Sequence, residues 1–389
     1  MAQASRPAAK MSAAAPTVQW LRTGQAAFPA MLAAIHTARE SVRLETYIYT
    51  DGKIGRQFRD ALIAAARRGV KVSLLVDAFG SLFLPDTFFL PFLAAGGNVR
   101  RFNPLHLWRF GVRDHRKLLV CDERTAFIGG FNLADEYDGD GVNRGWCDLG
   151  LRIETGELVR ELAASFDEIF GLAQFKRRPL LRLRAYKRRH KSRVLPTGVP
   201  LWTQPGPQTS SLHVMLHRDI VRAHDVRLIT AYFLPTRKLR RDLVRVVREG
   251  GRVQLILAGK SDVLLAQLAA RSLYRRLLAA GVEIYEYQPQ ILHAKLVVAD
   301  QVTYAGSANF DVRSLKLNYE LMLRLEDKSI TRTAREIFDS TLKHCRKIEL
   351  PQWRAAQSFW QRWQQRWAHF LLARLDIFVA LRQFQALEK

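Results

Sequence analysis

Two stretches of this chain repeat one pattern, and the repetition constrains the fold more than any other feature. Residues 41–81 read SVRLETYIYTDGKIGRQFRDALIAAARRGVKVSLLVDAFGS and residues 225–262 read DVRLITAYFLPTRKLRRDLVRVVREGGRVQLILAGKSD. Each holds a β-rich run (42–49; 226–234), an amphipathic helix (55–68; 237–249), a glycine stop (Gly69; Gly250 and Gly251) and a second apolar strand (70–76; 253–258). Such β-α-β units imply parallel strands joined by helical crossovers. Another helix and strand follow in each half (88–95 then 99–102; 264–280 then 282–287), and after them a strand carrying a histidine. The offset drifts only from 184 residues (Val42 to Val226) to 178 (His115 to His293) and 177 (Asn132 to Asn309). Duplication with small insertions accounts for that better than coincidence. The expected fold is α/β: two tandem domains with mostly parallel sheets, related by a pseudo-two-fold axis.

The 389 residues, 48% of them hydrophobic, suffice for two domains with their own cores. We expect a disordered leader over 1–17, a first domain over 18–175, a basic linker over 176–197, a second domain over 198–348 and an amphipathic tail over 349–389. Cys121, Cys147 and Cys345 form neither a disulfide framework nor a paired metal-knuckle spacing. The net charge of +25, from 61 Lys and Arg against 36 Asp and Glu, predicts attraction to a polyanion, either nucleic acid or an anionic membrane. Ten Lys and Arg fall within residues 176–193 alone. No run of about 18 uncharged apolar residues occurs, so no clear transmembrane helix is expected. In the tail, Trp360, Trp363 and Trp367 share one helical stripe, with Arg362, Gln365, Arg366 and His369 off it. The stripe suits either a helix docked on the core or, the favoured reading, a helix lying in a membrane interface.

The chemistry-bearing residues recur with the repeat. His115, Lys117 and Asp122 form a His-x-Lys-x4-Asp motif, with Gly129-Gly130-Phe131-Asn132 beyond it. His293, Lys295 and Asp300 form a second, followed by Gly306-Ser307-Ala308-Asn309. On an extended chain residues i and i+2 project together, so each histidine comes with a lysine. Two lysines neutralise the equatorial oxygens of a phosphodiester, so no cofactor and no metal are expected. One histidine attacks phosphorus to give a phosphohistidine, and the other protonates the leaving alkoxide and later deprotonates the acceptor. Either role needs one free ring nitrogen and a partner fixing the other. Asp148, 33 residues after His115, and Glu320, 27 after His293, are the candidate partners. Asp122 and Asp300 have two readings: members of the catalytic group, or ties between strand and turn. Asn132, Ser307 and Asn309 are uncharged groups suited to phosphate oxygens.

These residues resemble the phospholipase D superfamily, whose signature is this duplicated motif. Within it the chain is similar to bacterial cardiolipin synthases of the B type, in LETYIY (44–49), HRKLLVCDERTAFIGGFN (115–132), AYFLP (231–235) and SANFDVRSLKLNYE (307–320). The resemblance covers about residues 18–350. It implies two α/β/α sandwiches sharing one active site. It also implies a phosphatidyl transfer in which two phosphatidylglycerols give cardiolipin and glycerol. His115 would be the nucleophile, His293 the acid and base, and Asp148 and Glu320 the acids orienting the imidazoles. The implied partners are anionic phospholipids and a membrane surface, at the cytoplasmic face of a bacterial inner membrane. A lipid-hydrolysing phospholipase D, another transphosphatidylase, a nucleic-acid phosphodiesterase and a dead membrane scaffold are the competing readings. Every motif residue is present twice, which disfavours the scaffold, and the Trp-rich tail has no obvious use on nucleic acid. Residues 81–95 (SLFLPDTFFLPFLAA) are more apolar than expected for this family; they fit a tightly packed core helix or a loop dipping into lipid.

Overall fold

The computed structural model describes residues 17–103, 112–154, 156–173, 195, 198–205 and 210–375. Apart from Thr17, which begins the first strand, and Leu195, the expected leader and basic linker lie outside the described residues, as does the end of the tail.

The first half forms β1 (Thr17–Leu21), α1 (Gly24–Thr37), β2 (Ser41–Thr46), α2 (Lys53–Arg67), β3 (Lys71–Asp77), α3 (Leu90–Ala94), β4 (Asn98–Phe102), β5 (Leu118–Cys121), β6 (Thr125–Gly129), β7 (Gly150–Glu154) and α4 (Glu157–Ala173). The second forms β8 (Val199–Thr203), α5 (Ser211–Arg222), β9 (Asp225–Thr230), β10 (Phe233–Leu234), α6 (Arg237–Arg248), β11 (Arg252–Ala258), α7 (Leu264–Ala279), β12 (Glu283–Tyr287), β13 (Leu296–Ala299), β14 (Val302–Gly306), β15 (Phe310–Asp311), α8 (Val312–Lys316), β16 (Glu320–Leu325), α9 (Lys328–Leu342) and β17 (Cys345–Ile348). Two tail helices follow, α10 (Leu350–Ala356) and α11 (Phe359–Phe370).

Local chemistry explains the repeated units. β3 and β11 are buried on both faces after their first residue, hence their unbroken apolar runs. α2 turns Ile54, Phe58, Ala61, Leu62 and Ala65 inward at helical spacing. Gly69 and Gly250 follow α2 and α6 at φ of 86° and 88°, the left-handed conformation in which glycine ends a helix without a Cβ clash.

The first sheet runs β1-β7-β6-β5-β2-β3-β4 and the second β17-β12-β11-β9-β13-β14-β16-β8. Read from opposite ends the orders correspond strand for strand, with β17 added at one edge, so the α/β duplication holds at the level of topology. The expected predominance of parallel pairing does not hold. Within these two sheets parallel pairs are confined to β2-β3-β4 and β9-β11-β12, and every other ladder is antiparallel; a separate two-stranded sheet pairs β10 and β15 in parallel. The reason is that only the strand–helix–strand units cross over. β5-β6 and β13-β14 are joined by tight turns, and a tight turn yields an antiparallel pair.

Three apolar layers hold the molecule. α1 and α2 cover one face of the first sheet, and α5, α6 and α7 cover one face of the second. Between the sheets lies a single core, in which Leu118, Val120 and Phe166 of the first half pack with Leu296, Val298, Leu323 and Phe338 of the second. That shared layer brings the two motif segments face to face.

Candidate active site

Both histidines sit just before their short strands, in extended segments leading into β5 and β13. Each segment is hydrogen-bonded to the opposite half. The His115 amide donates to the Tyr319 carbonyl at 2.9 Å, and the His293 amide donates to the Cys147 carbonyl at 2.7 Å. Parallel bridges Asp114–Tyr319 and Cys147–Leu292 fix both registers. The residue after Tyr319 is Glu320, and the residue after Cys147 is Asp148. Consequently each imidazole meets the carboxylate of the other half: His115 Nδ1 lies 3.0 Å from Glu320 Oε2, and His293 Nδ1 lies 2.7 Å from Asp148 Oδ2. A carboxylate partner makes Nδ1 the N–H nitrogen and leaves Nε2 available for chemistry.

The supports differ between the halves. Ser307 Oγ donates to Glu320 Oε2 at 2.6 Å and accepts from the Leu321 amide. The matching residue, Gly130, has no side chain, and a Cβ there would fall 2.0 Å from Asp148 Oδ1. Gly130 is thus the space into which the Asp148 carboxylate fits. Asn132 is equally occupied, accepting from the Ile48 amide at 3.0 Å and donating to the Tyr137 hydroxyl at 2.6 Å. That hydroxyl stands 3.5 Å from His293 Nε2. Ser307 and Asn132 are therefore placed to position the groups beside the two histidines. Asn309 is buried, and its side-chain oxygen has no partner.

Lys117 and Lys295 arrive beside the histidines, as i, i+2 geometry requires. Lys117 Nζ donates to the His115 carbonyl at 2.6 Å, and Lys295 Nζ donates to the His293 carbonyl. The residue between them differs: Arg116 turns away and forms a buried pair with Glu45 at 2.7 Å, its guanidinium 5.2 Å from the Trp202 ring of the other half. Aromatic edges close the site. Tyr47 packs edge-on against His115 at 4.8 Å, and Tyr137 and Trp146 pack against His293 at 5.3 and 5.6 Å. Tyr47 lies in the LETYIY run that carries the family resemblance, though no role was read for it there, and Tyr137 carries no periodic or motif signal.

Asp122 and Asp300 are not at this site. Each lies five residues past its lysine along a strand rising about 3.3 Å per residue. Asp122 accepts from the amides of Arg39, Glu40 and Ser41 at 2.8–2.9 Å, and Asp300 accepts from those of His224 and Asp225. Of their two readings, the geometry places them as ties, which corrects their membership in the catalytic group. Partial burial works to raise Asp122, but its three amide partners and Arg124 hold it below the usual carboxylate range. Its contribution to stability is therefore present above the unfolded carboxyl pKa and lost as pH falls through the lower folded value. We expect Asp122→Ala to lower unfolding free energy by about 2–3 kcal/mol, from lost charge-assisted bonds and a left-handed φ that alanine tolerates poorly. Denaturant unfolding measures this, and an unchanged midpoint would refute the tie.

Burial dominates the site's titration. It lowers His115 to about 4 despite Glu320, with Lys117 acting in the same direction as burial. Burial and Lys295 also lower His293 against the pull of Asp148. Burial brings Lys117 to about 7 and Lys295 to about 8. His115 is thus neutral, as a nucleophile must be, over the physiological range. The lysines lose their charge just above neutrality, so kcat/KM is expected to fall above pH about 7. A bound phosphate anion restores the ammonium forms, so the limb in kcat lies at higher pH. Lys117→Arg, with a guanidinium that stays charged, should move the kcat/KM limb toward the value set by Lys295. An unmoved limb would mean that Lys117 does not set it.

Comparisons with known proteins bear on the family and the fold. The family described as "Cardiolipin synthase, PLD-like domain" matches residues 31–170 and 216–342, one match in each half. Cardiolipin synthase B of Escherichia coli (strain K12) is 31% identical over 357 residues, covering 85% of this chain and 82% of its own. Cardiolipin synthase 1 of Bacillus anthracis is 31% identical over 353 residues, covering 88% of this chain and 69% of its own. Among solved structures, phosphatidylserine synthase of Haemophilus influenzae Rd KW20 superposes with a TM-score of 0.74 over 94% of this chain and 95% of its own, at 14% identity, a likeness of fold. With its duplicated motif in a duplicated fold, the chain belongs to the PLD-like cardiolipin synthase family.

Proposed function

We propose that this protein is a cardiolipin synthase that transfers a phosphatidyl group from one phosphatidylglycerol to another through a phosphohistidine on His115. The observation that carries this reading is the pair of crossed histidine–carboxylate dyads with two lysines between them. His115 Nε2 attacks phosphorus, and the P–O bond to glycerol breaks. His293 gives its proton to the departing alkoxide, so glycerol leaves neutral. The hydroxyl of a second phosphatidylglycerol then returns a proton to His293 as its oxygen attacks phosphorus, and the P–N bond to His115 breaks. Burial disfavours the imidazolium of His293, but the arriving phosphodiester anion, together with Asp148, favours it. Lys117 and Lys295 carry the charge that develops on the equatorial oxygens. Replacing the second lipid by water turns the same site into a phospholipase, so the product decides between them. Incubating purified protein with vesicles of head-group- and acyl-labelled phosphatidylglycerol is expected to release glycerol in step with cardiolipin. Phosphatidic acid in place of cardiolipin would overturn the transferase reading.

We further propose that the site works at an anionic lipid surface. The tail helix α11 docks on α7 through Gln365 and Ala368, while Trp360, Trp363 and Trp367 are 68, 47 and 46% exposed. That is the reverse of a helix folded for water, and a continuous outward aromatic row suits an interface. Two more apolar projections flank the histidines at equivalent places in the repeat. Phe79, Leu82 and Phe83 stand out after β3, in a loop whose Ser81 donates to the Tyr47 carbonyl. Val263, Leu264 and Leu265 stand out after β11, next to Asp262, which holds the Tyr232 hydroxyl. Within residues 81–95, Leu84, Phe88, Phe89 and Phe92 are buried, while Leu82, Phe83, Leu90 and Leu93 are exposed. Among the described residues no helix is long and apolar enough to cross a membrane.

A further inference from the structure

A large concavity outside the catalytic site lies between α6, α7 and the end of α11, with a volume of about 1250 Å³. Its walls are arginine: Arg237, Arg240, Arg241, Arg245 and Arg248 from α6 and Arg276 from α7. Its floor is apolar, made by Leu234, Val244, Leu273, Leu277 and Phe370. The only acid among the described lining residues is Glu249, and Arg245 pairs with it at 2.6 Å. Arg240 Nε is shielded from solvent and makes no hydrogen bond. Burial, with Arg276 and Arg237 nearby, pulls this guanidinium below its ordinary value. Clustering like charges and desolvating one of them costs free energy that an anion would recover. A second, smaller groove lies further along α11 toward its start and also carries Arg271, Arg275, Arg354, Arg362 and Arg366.

A cation wall above an apolar floor matches an amphiphile with an anionic head. We infer that this groove is a second, non-catalytic site for an anionic phospholipid, with its phosphate on Arg240 and Arg276 and its acyl chains along Leu234, Val244, Leu273 and Phe370. The site is separate from the two histidines, though β15 and Val312 connect its inner end to Asn309 by three residues of chain. A free phosphate would satisfy the arginines but not the floor, so the commitment is to a lipid. The inference rests on the membrane-surface reading above.

The test is co-sedimentation with phosphatidylcholine vesicles with and without phosphatidylglycerol. Arg240→Gln/Arg276→Gln is compared with Lys328→Gln/Arg332→Gln, which removes the same charge from α9. The groove variant is expected to lose about tenfold in partitioning to phosphatidylglycerol vesicles and the control less than about twofold, with matching thermal melts for both. Phosphatidylglycerol bearing a photoreactive acyl chain is expected to label peptides 237–248 and 264–279 in the unmodified protein. Equal losses in both variants would reduce the effect to diffuse charge and overturn the inference while the membrane reading stands. Release of bound protein by inorganic phosphate as effectively as by lipid would overturn the lipid assignment. Wild-type protein that binds no vesicle at all would instead overturn the membrane reading itself.

Discussion

Replacing His115 with asparagine is expected to lower phosphatidyl transfer by at least about 10³-fold and to abolish covalent labelling of the protein by substrate. Asparagine is the informative choice. Its amide places a donor near the position of Nδ1, so Glu320 keeps a partner and the buried carboxylate is not left uncompensated. What disappears is Nε2, the atom assigned to attack phosphorus. Alanine would confound loss of the nucleophile with the cost of an unpaired buried Glu320 beneath Ser307. The measurement is single-turnover reaction with phosphatidyl-labelled substrate, quenching under alkaline denaturing conditions where a phosphoramidate survives, and peptide mapping. Label on the peptide containing His115 in the wild type, and none in the variant, is the expected pair of results. Label on the His293 peptide would exchange the two roles.

The second large effect concerns the carboxylates. Glu320→Gln and Asp148→Asn are each expected to cost about 10³–10⁴-fold, the scale seen when an orienting carboxylate becomes an amide and the imidazole takes the wrong tautomer. The crossed geometry says which histidine each one silences. Glu320 lies 3.0 Å from His115, so Glu320→Gln is expected to behave as a nucleophile variant, with no intermediate on any substrate. Asp148 lies 2.7 Å from His293, so Asp148→Asn removes the acid. With an aryl phosphatidyl ester, whose leaving group departs without a proton, Asp148→Asn is expected to form the intermediate and then stall, because no base activates the acceptor. Pairing within each half would give the reverse pattern. Recovery of labelling in Glu320→Gln but not in Asp148→Asn would therefore refute the crossed assignment.

The aromatic tail shows how far a local pattern reaches. Its spacing gives a helix with one aromatic stripe, and that helix forms over Phe359–Phe370, started by a Ser358–Gln361 capping box. Which side of the helix meets the protein is a separate matter. Gln365 and Ala368 fit against α7, and the four rings of Trp360, Trp363, Trp367 and Phe370 contact one another in sequence along the outside. The stripe was legible, but its direction depended on the shape of a surface built a hundred residues earlier.

By itself the sequence determined the duplication, the strand–helix–strand units and the two His-x-Lys segments. All of these are set by contacts within a few residues: alternation on an extended chain, a 3.6-residue period on a helix, a glycine where φ turns positive. It also determined that each lysine accompanies its histidine. Only the tertiary structure decided that the sheets are mixed, that Asp122 and Asp300 bind turns at the far ends of their strands, and that Asn132 and Ser307 hold other side chains. It alone decided that His115 belongs with Glu320 and His293 with Asp148. Those pairings span 205 and 145 residues of chain. They exist because the shared core between the two sheets presses each motif segment against the backbone of the opposite half, at Tyr319 and at Cys147, and no pattern within either half records that contact.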